Sequence, residues 1–72
     1  MKTFRQLVDT MNTTAVVYQL AHADHQREGT GSTYRALEVA RVNRRAAAGA
    51  VDAAIVADLA TTHGATVYVL AA

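Results

Sequence analysis

The first apolar residues of the chain recur at the spacing of an α-helix. These residues are Phe4, Leu7, Val8 and Met11. Steps of three and four positions place them on one side of a helix. Thr3 precedes them and can cap the helix through its hydroxyl group. We therefore predict a helix over about 3–11, ended by the polar and β-branched run at 12–14.

Two later segments, 15–21 and 65–71, share the pattern Val-Tyr-x-Leu-Ala. Their β-branched and aromatic residues favour strands. The second segment is apolar on both faces, since Val67 and Val69 alternate with Tyr68 and Leu70, and such a strand is normally covered on both sides. For the first segment a helix is the alternative, because the following residues also fall at helical intervals: Met11, Ala15, Tyr18 and His22.

Every residue from 33 to 63 is compatible with a helix, but the apolar side changes along the way. Glu38, Arg41 and Arg45 share one side. In a continuous helix, Ile55, Val56 and Leu59 would fall on that same side. A break near Gly49 removes this conflict, so we predict helices at about 33–47 and 50–62, after a surface loop at 23–32 that ends in Ser32 or Thr33 as the cap. The alternative is an unbroken helix, half of which packs against a partner chain.

These elements predict an α+β fold in a single domain over residues 1–72. The expected order is a short helix, a strand, a helical hairpin and a final strand, with the helices on one face of a minimal sheet. Two strands make a poor sheet by themselves. We therefore expect a homodimer, or a partner strand, to complete the sheet.

The composition is that of an ordered protein with a thin core. Hydrophobic residues make up 51% of the 72 residues, charged residues make up 18%, and cysteine is absent. A chain of this length buries only about 60% of the surface that its unfolded form exposes. Without disulfides, association with a partner is the expected support. No secretory signal or membrane span is evident, and we expect a cytoplasmic protein.

Arginine supplies the sharpest surface feature of the sequence. Net charge is only +1 overall, but residues 27–45 hold five arginines against two glutamates. The candidate binding residues are Arg35, Arg41, Arg44 and Arg45. We expect a non-enzymatic protein-interaction module, in the manner of a small inhibitor or regulator such as those that phages direct at host enzymes. It would bind a larger protein through the arginine-bearing helix and an exposed strand edge. The alternative is a nucleic-acid-binding transcriptional regulator that uses Arg41, Arg44 and Arg45.

Other candidate chemistry is weak. The polar residues His22, Asp24, His25 and Glu28 follow no recognisable metal-ligand spacing. The segment 29–33 has the glycine content of a phosphate-binding loop but lacks its lysine. We therefore predict no catalytic residue, no metal and no cofactor.

Overall fold

The computed structural model describes residues 2–63, which form two antiparallel α-helices joined by a two-residue turn. Helix α1 spans Phe4–Glu28 and helix α2 spans Gly31–His63. No strand occurs within the described residues. The predicted α+β fold is therefore wrong, and the architecture is a helical hairpin. The second predicted strand, at 65–71, lies outside the described residues.

Helix α1 begins as the sequence predicted. Thr3 Oγ1 accepts a hydrogen bond from the Gln6 backbone N–H at 3.2 Å, and the Thr3 N–H donates to Gln6 Oε1 at 2.8 Å. This reciprocal pair is a capping box, which satisfies two donors that a helix start otherwise leaves without a partner. The predicted cap at Thr3 is confirmed.

The predicted strand at 15–21 is wrong, because α1 continues through it to Glu28. Thr14 shows how a β-branched polar residue is accommodated: its hydroxyl donates to the carbonyl oxygens of Thr10 and Met11, both at 2.9 Å. The helical alternative accounts for the segment, since Met11, Ala15 and Tyr18 are all partly buried. Packing against α2 outweighs the strand preference of Val16 and Val17, which both remain exposed.

The turn between the helices consists of Gly29 and Thr30, so the loop predicted at 23–32 is mostly helix. Gly29 has a left-handed backbone conformation, with φ of 61°, and its N–H donates to the His25 carbonyl at 2.8 Å. Such a conformation favours glycine because it has no Cβ. Thr30, rather than the predicted Ser32 or Thr33, caps α2, since its hydroxyl accepts the Thr33 N–H at 3.1 Å.

Helix α2 is unbroken over 33 residues, so the break predicted near Gly49 is wrong. A Cβ added at Gly49 would meet no atom within 4 Å, and Gly49 is exposed. No close approach therefore requires a glycine there. The large apolar residues do change sides along α2, as the sequence indicated, but many of them simply stay exposed, including Val42 and Ile55.

The two helices meet along a seam with a seven-residue repeat. The following residues define this seam: Leu7, Met11, Thr14, Tyr18, Ala21 and His25 in α1, and Thr33, Leu37, Ala40, Arg44, Ala47, Val51 and Ala54 in α2. Their alternating steps of three and four match antiparallel helices that cross at a shallow angle. The contact between Tyr18 and Arg44 marks how the two helices are aligned along their length: the Tyr18 ring lies 4.4 Å from the Arg44 guanidinium carbon.

The core of the hairpin is small and lies on one helix. Four hydrophobic residues of the described range are fully buried, and all belong to α2: Leu37, Ala40, Ala47 and Val51. Helix α1 contributes no buried residue. Two helices can cover each other along one line only, so the remaining apolar residues of both stay in contact with solvent.

The continuity of α2 predicts the effect of filling Gly49. We expect Gly49→Ala to raise the free energy of unfolding by about 0.5–1 kcal/mol, because alanine costs less backbone entropy in a helix interior. Urea denaturation followed by circular dichroism measures this change. Gly29→Ala is the matched control, and it should destabilise the hairpin through its left-handed backbone. A loss of stability in Gly49→Ala would contradict a continuous helix.

Candidate protein-interaction surface

Two shallow grooves open on one flank of the seam. The first, of about 270 Å³, is lined by residues that include Val17 and Leu20 of α1 and Ala36 of α2. The second, of about 350 Å³, is lined by residues that include Thr10 of α1 and Ala46 of α2. Val17 follows Thr10 by seven positions, or two helical turns, so both grooves lie on the same side of the hairpin.

This flank forms a continuous surface without charge, which we call the uncharged face. It consists of Thr10, Thr13, Val17 and Leu20 in α1, and of Ala36, Val39, Asn43, Ala46 and Ala50 in α2. All of these residues are exposed except Thr10, which is half-buried. Leu20 is 62% exposed and Val39 is 60% exposed. Exposed apolar side chains that lie together, rather than singly, are typical of an interaction surface.

Charged residues border the grooves of the uncharged face at opposite ends. Lys2 lines the groove near the start of α1, and Asp24 lines the groove near the turn. Asp24 is already paired, since its carboxylate lies 2.6 Å from the Arg27 guanidinium. Between these ends, the part of α1 from Thr10 to Leu20, about 15 Å long, presents only apolar or uncharged polar side chains to this face. Polar ends around an apolar centre resemble the rim and core of a protein interface.

Two of the four candidate arginines make contacts within the hairpin. Arg41 pairs with Glu38 at 3.1 Å on the exposed side of α2. Arg44 belongs to the seam, where its guanidinium covers the Tyr18 ring at 4.4 Å. Such a cation–π contact also shields part of the aromatic ring from water. The charge of Arg44 is therefore engaged in holding α1 against α2.

Arg35 and Arg45 are exposed, and within residues 2–63 neither has a carboxylate within salt-bridge distance. They do not combine with the other arginines into one row. Nine positions separate Arg35 from Arg44, which at about 100° per residue places them on opposite sides of α2. Arg41 and Arg45 are neighbours, but Glu38 lies beside them in the same surface depression. The four arginines thus do not form one contiguous basic patch.

Of the polar residues near the turn, His25 joins the two helices. His25 Nδ1 lies 3.0 Å from Thr33 Oγ1, and the His25 ring lies 5.7 Å from the Tyr34 ring, centroid to centroid. His22 instead stacks on Tyr18, with ring centroids 6.1 Å apart. Among the described residues, no group of three or more histidine or carboxylate side chains is arranged to hold a metal ion.

The start of α2 also makes its own hydrogen bonds. The Thr30 N–H donates to Thr33 Oγ1 at 2.9 Å, while the Thr33 N–H donates to Thr30 Oγ1. A phosphate-binding turn needs free N–H groups that point at the ligand. These two donors are already satisfied, which argues against anion binding at 29–33.

Val17 and Leu20 were not predicted as surface residues, because the segment 15–21 was predicted to be a strand. The sequence spacing could have identified them as surface residues. Thr10 and Val17 are seven positions apart, and so are Thr13 and Leu20. In α2 the same flank, from Ala36 to Ala50, carries no charge. A row of uncharged residues on each helix, next to the seam with its seven-residue repeat, would have indicated this face.

Neither a protein-family model, a curated protein nor a solved structure matches this chain. No helix in the described part of the chain is long and apolar enough to cross a membrane.

The contact between Tyr18 and Arg44 predicts an energetic coupling. We expect a double-mutant cycle with Tyr18→Leu and Arg44→Gln to give a coupling free energy of about 0.5–1 kcal/mol. Urea denaturation of the four proteins measures it. Arg45→Gln is the matched control and should change the stability by less than about 0.5 kcal/mol, as is usual for a surface residue. Additive effects of the two substitutions would show that the contact contributes nothing.

Proposed function

We propose that this protein is a non-enzymatic protein-interaction module, which binds a partner protein through the uncharged face of the helical hairpin. The observation that carries this proposal is the mismatch between what the hairpin buries and what it exposes. Four apolar residues are buried, while nine large hydrophobic residues of the described range are at least 41% exposed. Three of the nine, Val17, Leu20 and Val39, lie on the uncharged face, and a partner that covered this face would remove their apolar surface from water.

The chemistry of the uncharged face favours a helical partner. Ala36, Ala46 and Ala50 are small side chains along α2, on either side of the larger Val39 and Asn43, and they leave room for another helix to pack closely. Val17 and Leu20 form a raised row along α1 that can fill the grooves of such a helix. Asn43 is the one amide in the centre of the face and can donate to or accept from a partner group. The partner is therefore expected to present an apolar helix without charge at its centre.

The arginines play a secondary part in this proposal. Glu38, Arg41 and Arg45 lie on another side of α2, where they keep that side solvated. The regulator or inhibitor role expected from the sequence is the form of this function that we propose, and a cytoplasmic location remains a prediction. The strand edge expected to share in the binding has no counterpart in residues 2–63.

Partner capture with matched variants tests the proposal. The tagged chain is used to capture proteins from native cells, and Leu20→Glu is compared with Val42→Glu. Both positions are exposed, at 62% and 64%, but only Leu20 lies on the uncharged face. We expect Leu20→Glu to lose the bound protein and Val42→Glu to keep it, because a carboxylate buried in the interface has no counter-charge there.

Two results would contradict this proposal. One is a partner that both variants retain equally but that Arg41→Gln with Arg45→Gln loses, which would move the site to the arginine side of α2. The other is salt-sensitive binding of arbitrary DNA or RNA without any bound protein, which would favour the nucleic-acid alternative. Circular dichroism of each variant confirms that the helical content is unchanged.

A further inference from the structure

We infer that residues 65–71, which follow the described part of the chain, fold back along α2 and cover an apolar groove at the end of the hairpin away from the turn. The groove has a volume of about 380 Å³. It is lined by Phe4 of α1 and by four residues of α2: Ala54, Ile55, Asp58 and Leu59. This inference goes beyond the proposed function, because the groove lies outside the uncharged face.

The groove and the uncharged face lie on different sides of the hairpin. Nine positions separate Ala46 of the uncharged face from Ile55 of the groove, which at about 100° per residue places them on opposite sides of α2. The groove also lies farther along α2, since Leu59 follows Ala50 by nine positions, or about 14 Å. A partner bound to the uncharged face therefore leaves the groove uncovered.

The groove gathers large apolar side chains that the hairpin leaves in contact with water. Phe4 is 52% exposed, Ile55 is 43% exposed and Leu59 is 41% exposed. Apolar side chains that share one groove, rather than lying singly, indicate a binding surface. Asp58 is also exposed, so its carboxylate can remain in water when the groove is covered. An uncharged apolar segment fits this groove, because it buries no lone charge.

Residues 65–71 have the composition and the position to cover the groove. The run Ala-Thr-Val-Tyr-Val-Leu-Ala contains no charge, and it begins two residues after α2 ends at His63. Gly64 stands between them, and glycine readily adopts the left-handed conformation that ends a helix and turns the chain. Because the segment is tethered next to the groove, its effective concentration there is high, which favours it over a separate molecule.

The spacing of the apolar side chains matches as well. Ile55 and Leu59 are four positions apart, or about 6 Å along α2. Val67 and Val69, which share one face of an extended segment, are about 6.6 Å apart. The two groove residues lie about 6 and 12 Å from the end of α2, and the two valines lie about 7 and 13 Å from the start of the segment. A segment that turns back after α2 therefore places one valine beside each groove residue.

Disulfide formation tests the position of the segment, since the chain contains no cysteine of its own. In a glutathione buffer, we expect Asp58→Cys with Val67→Cys to form an intramolecular disulfide about tenfold more readily than Ala60→Cys with Val67→Cys. Asp58 and Ala60 are both exposed and equally suited to react, but two positions place them about 160° apart around α2. Thiol alkylation followed by mass spectrometry measures the yields.

Two results of the disulfide experiment overturn the inference. One is an equal yield from the two pairs, which would show that the segment has no preferred side of α2. The other is a disulfide between chains, seen as twice the mass of 7.7 kDa, which would make a second copy the occupant of the groove.

A fluorescent reporter in the groove tests whether the segment covers it. The chain contains no tryptophan, so Phe4→Trp introduces a single reporter. Adding Val67→Asp with Val69→Asp should shift the emission to longer wavelength, because a charged segment leaves the groove and admits water. Ala53→Asp with Ala60→Asp adds the same charge on the other side of α2 and should leave the emission unchanged. If the charged segment leaves the emission unchanged too, while circular dichroism shows intact helices, the segment does not cover the groove and the inference is wrong.

Discussion

The packing of α1 against α2 along one seam is the contact on which the rest of this structure depends. Its seven-residue repeat keeps the facing residues in line over the whole length of α1. Four small or aliphatic side chains of α2 are buried there, and Tyr18 with Arg44 fixes the relative height of the helices. Isolated helices are only marginally stable in water, so this contact is also what makes the two helices stable.

A seam between two helices leaves most of each helix uncovered. Helix α1 has no buried residue, and apolar side chains such as Val17 and Leu20 stand in water on its flank. A globular bundle would cover them with a third and a fourth helix. Within the described residues the hairpin lacks this cover, and that is the physical reason to expect association. What distinguishes the uncharged face from the rest of the surface is that it has no charged residue. No single side chain distinguishes it.

The same seam decides what the charged residues do. Arg44 is drawn into the contact between the helices, and Arg41 is paired with Glu38 on an exposed side. The arginines are close together in the sequence, which suggests that they form one basic site. On a helix, neighbours point about 100° apart, so the run is divided among a structural contact, an ion pair and two exposed charges. The number of arginines in this segment therefore does not indicate a single basic binding site.

The sequence by itself determined the local features of this hairpin. The cap at Thr3 follows from the chemistry of one side chain and its neighbours, and the helical spacing of Phe4, Leu7 and Met11 was readable without a partner helix. The alternating steps of three and four in both helices were also present in the sequence. The cap and the spacing of Phe4, Leu7 and Met11 depend on atoms within one or two turns of each other, which is why they could be predicted, whereas the longer repeat was not predicted.

Only the tertiary structure decided how far each helix extends and which residues form its surface. The segment 15–21 prefers a strand when judged alone, and it became helical because a helix places Tyr18 and Ala21 against α2. Gly49 suggested a break, but nothing packs against it, so the helix continues at a small cost in entropy. The uncharged face exists because α1 and α2 align two distant rows of residues side by side, and that alignment is set by the seam.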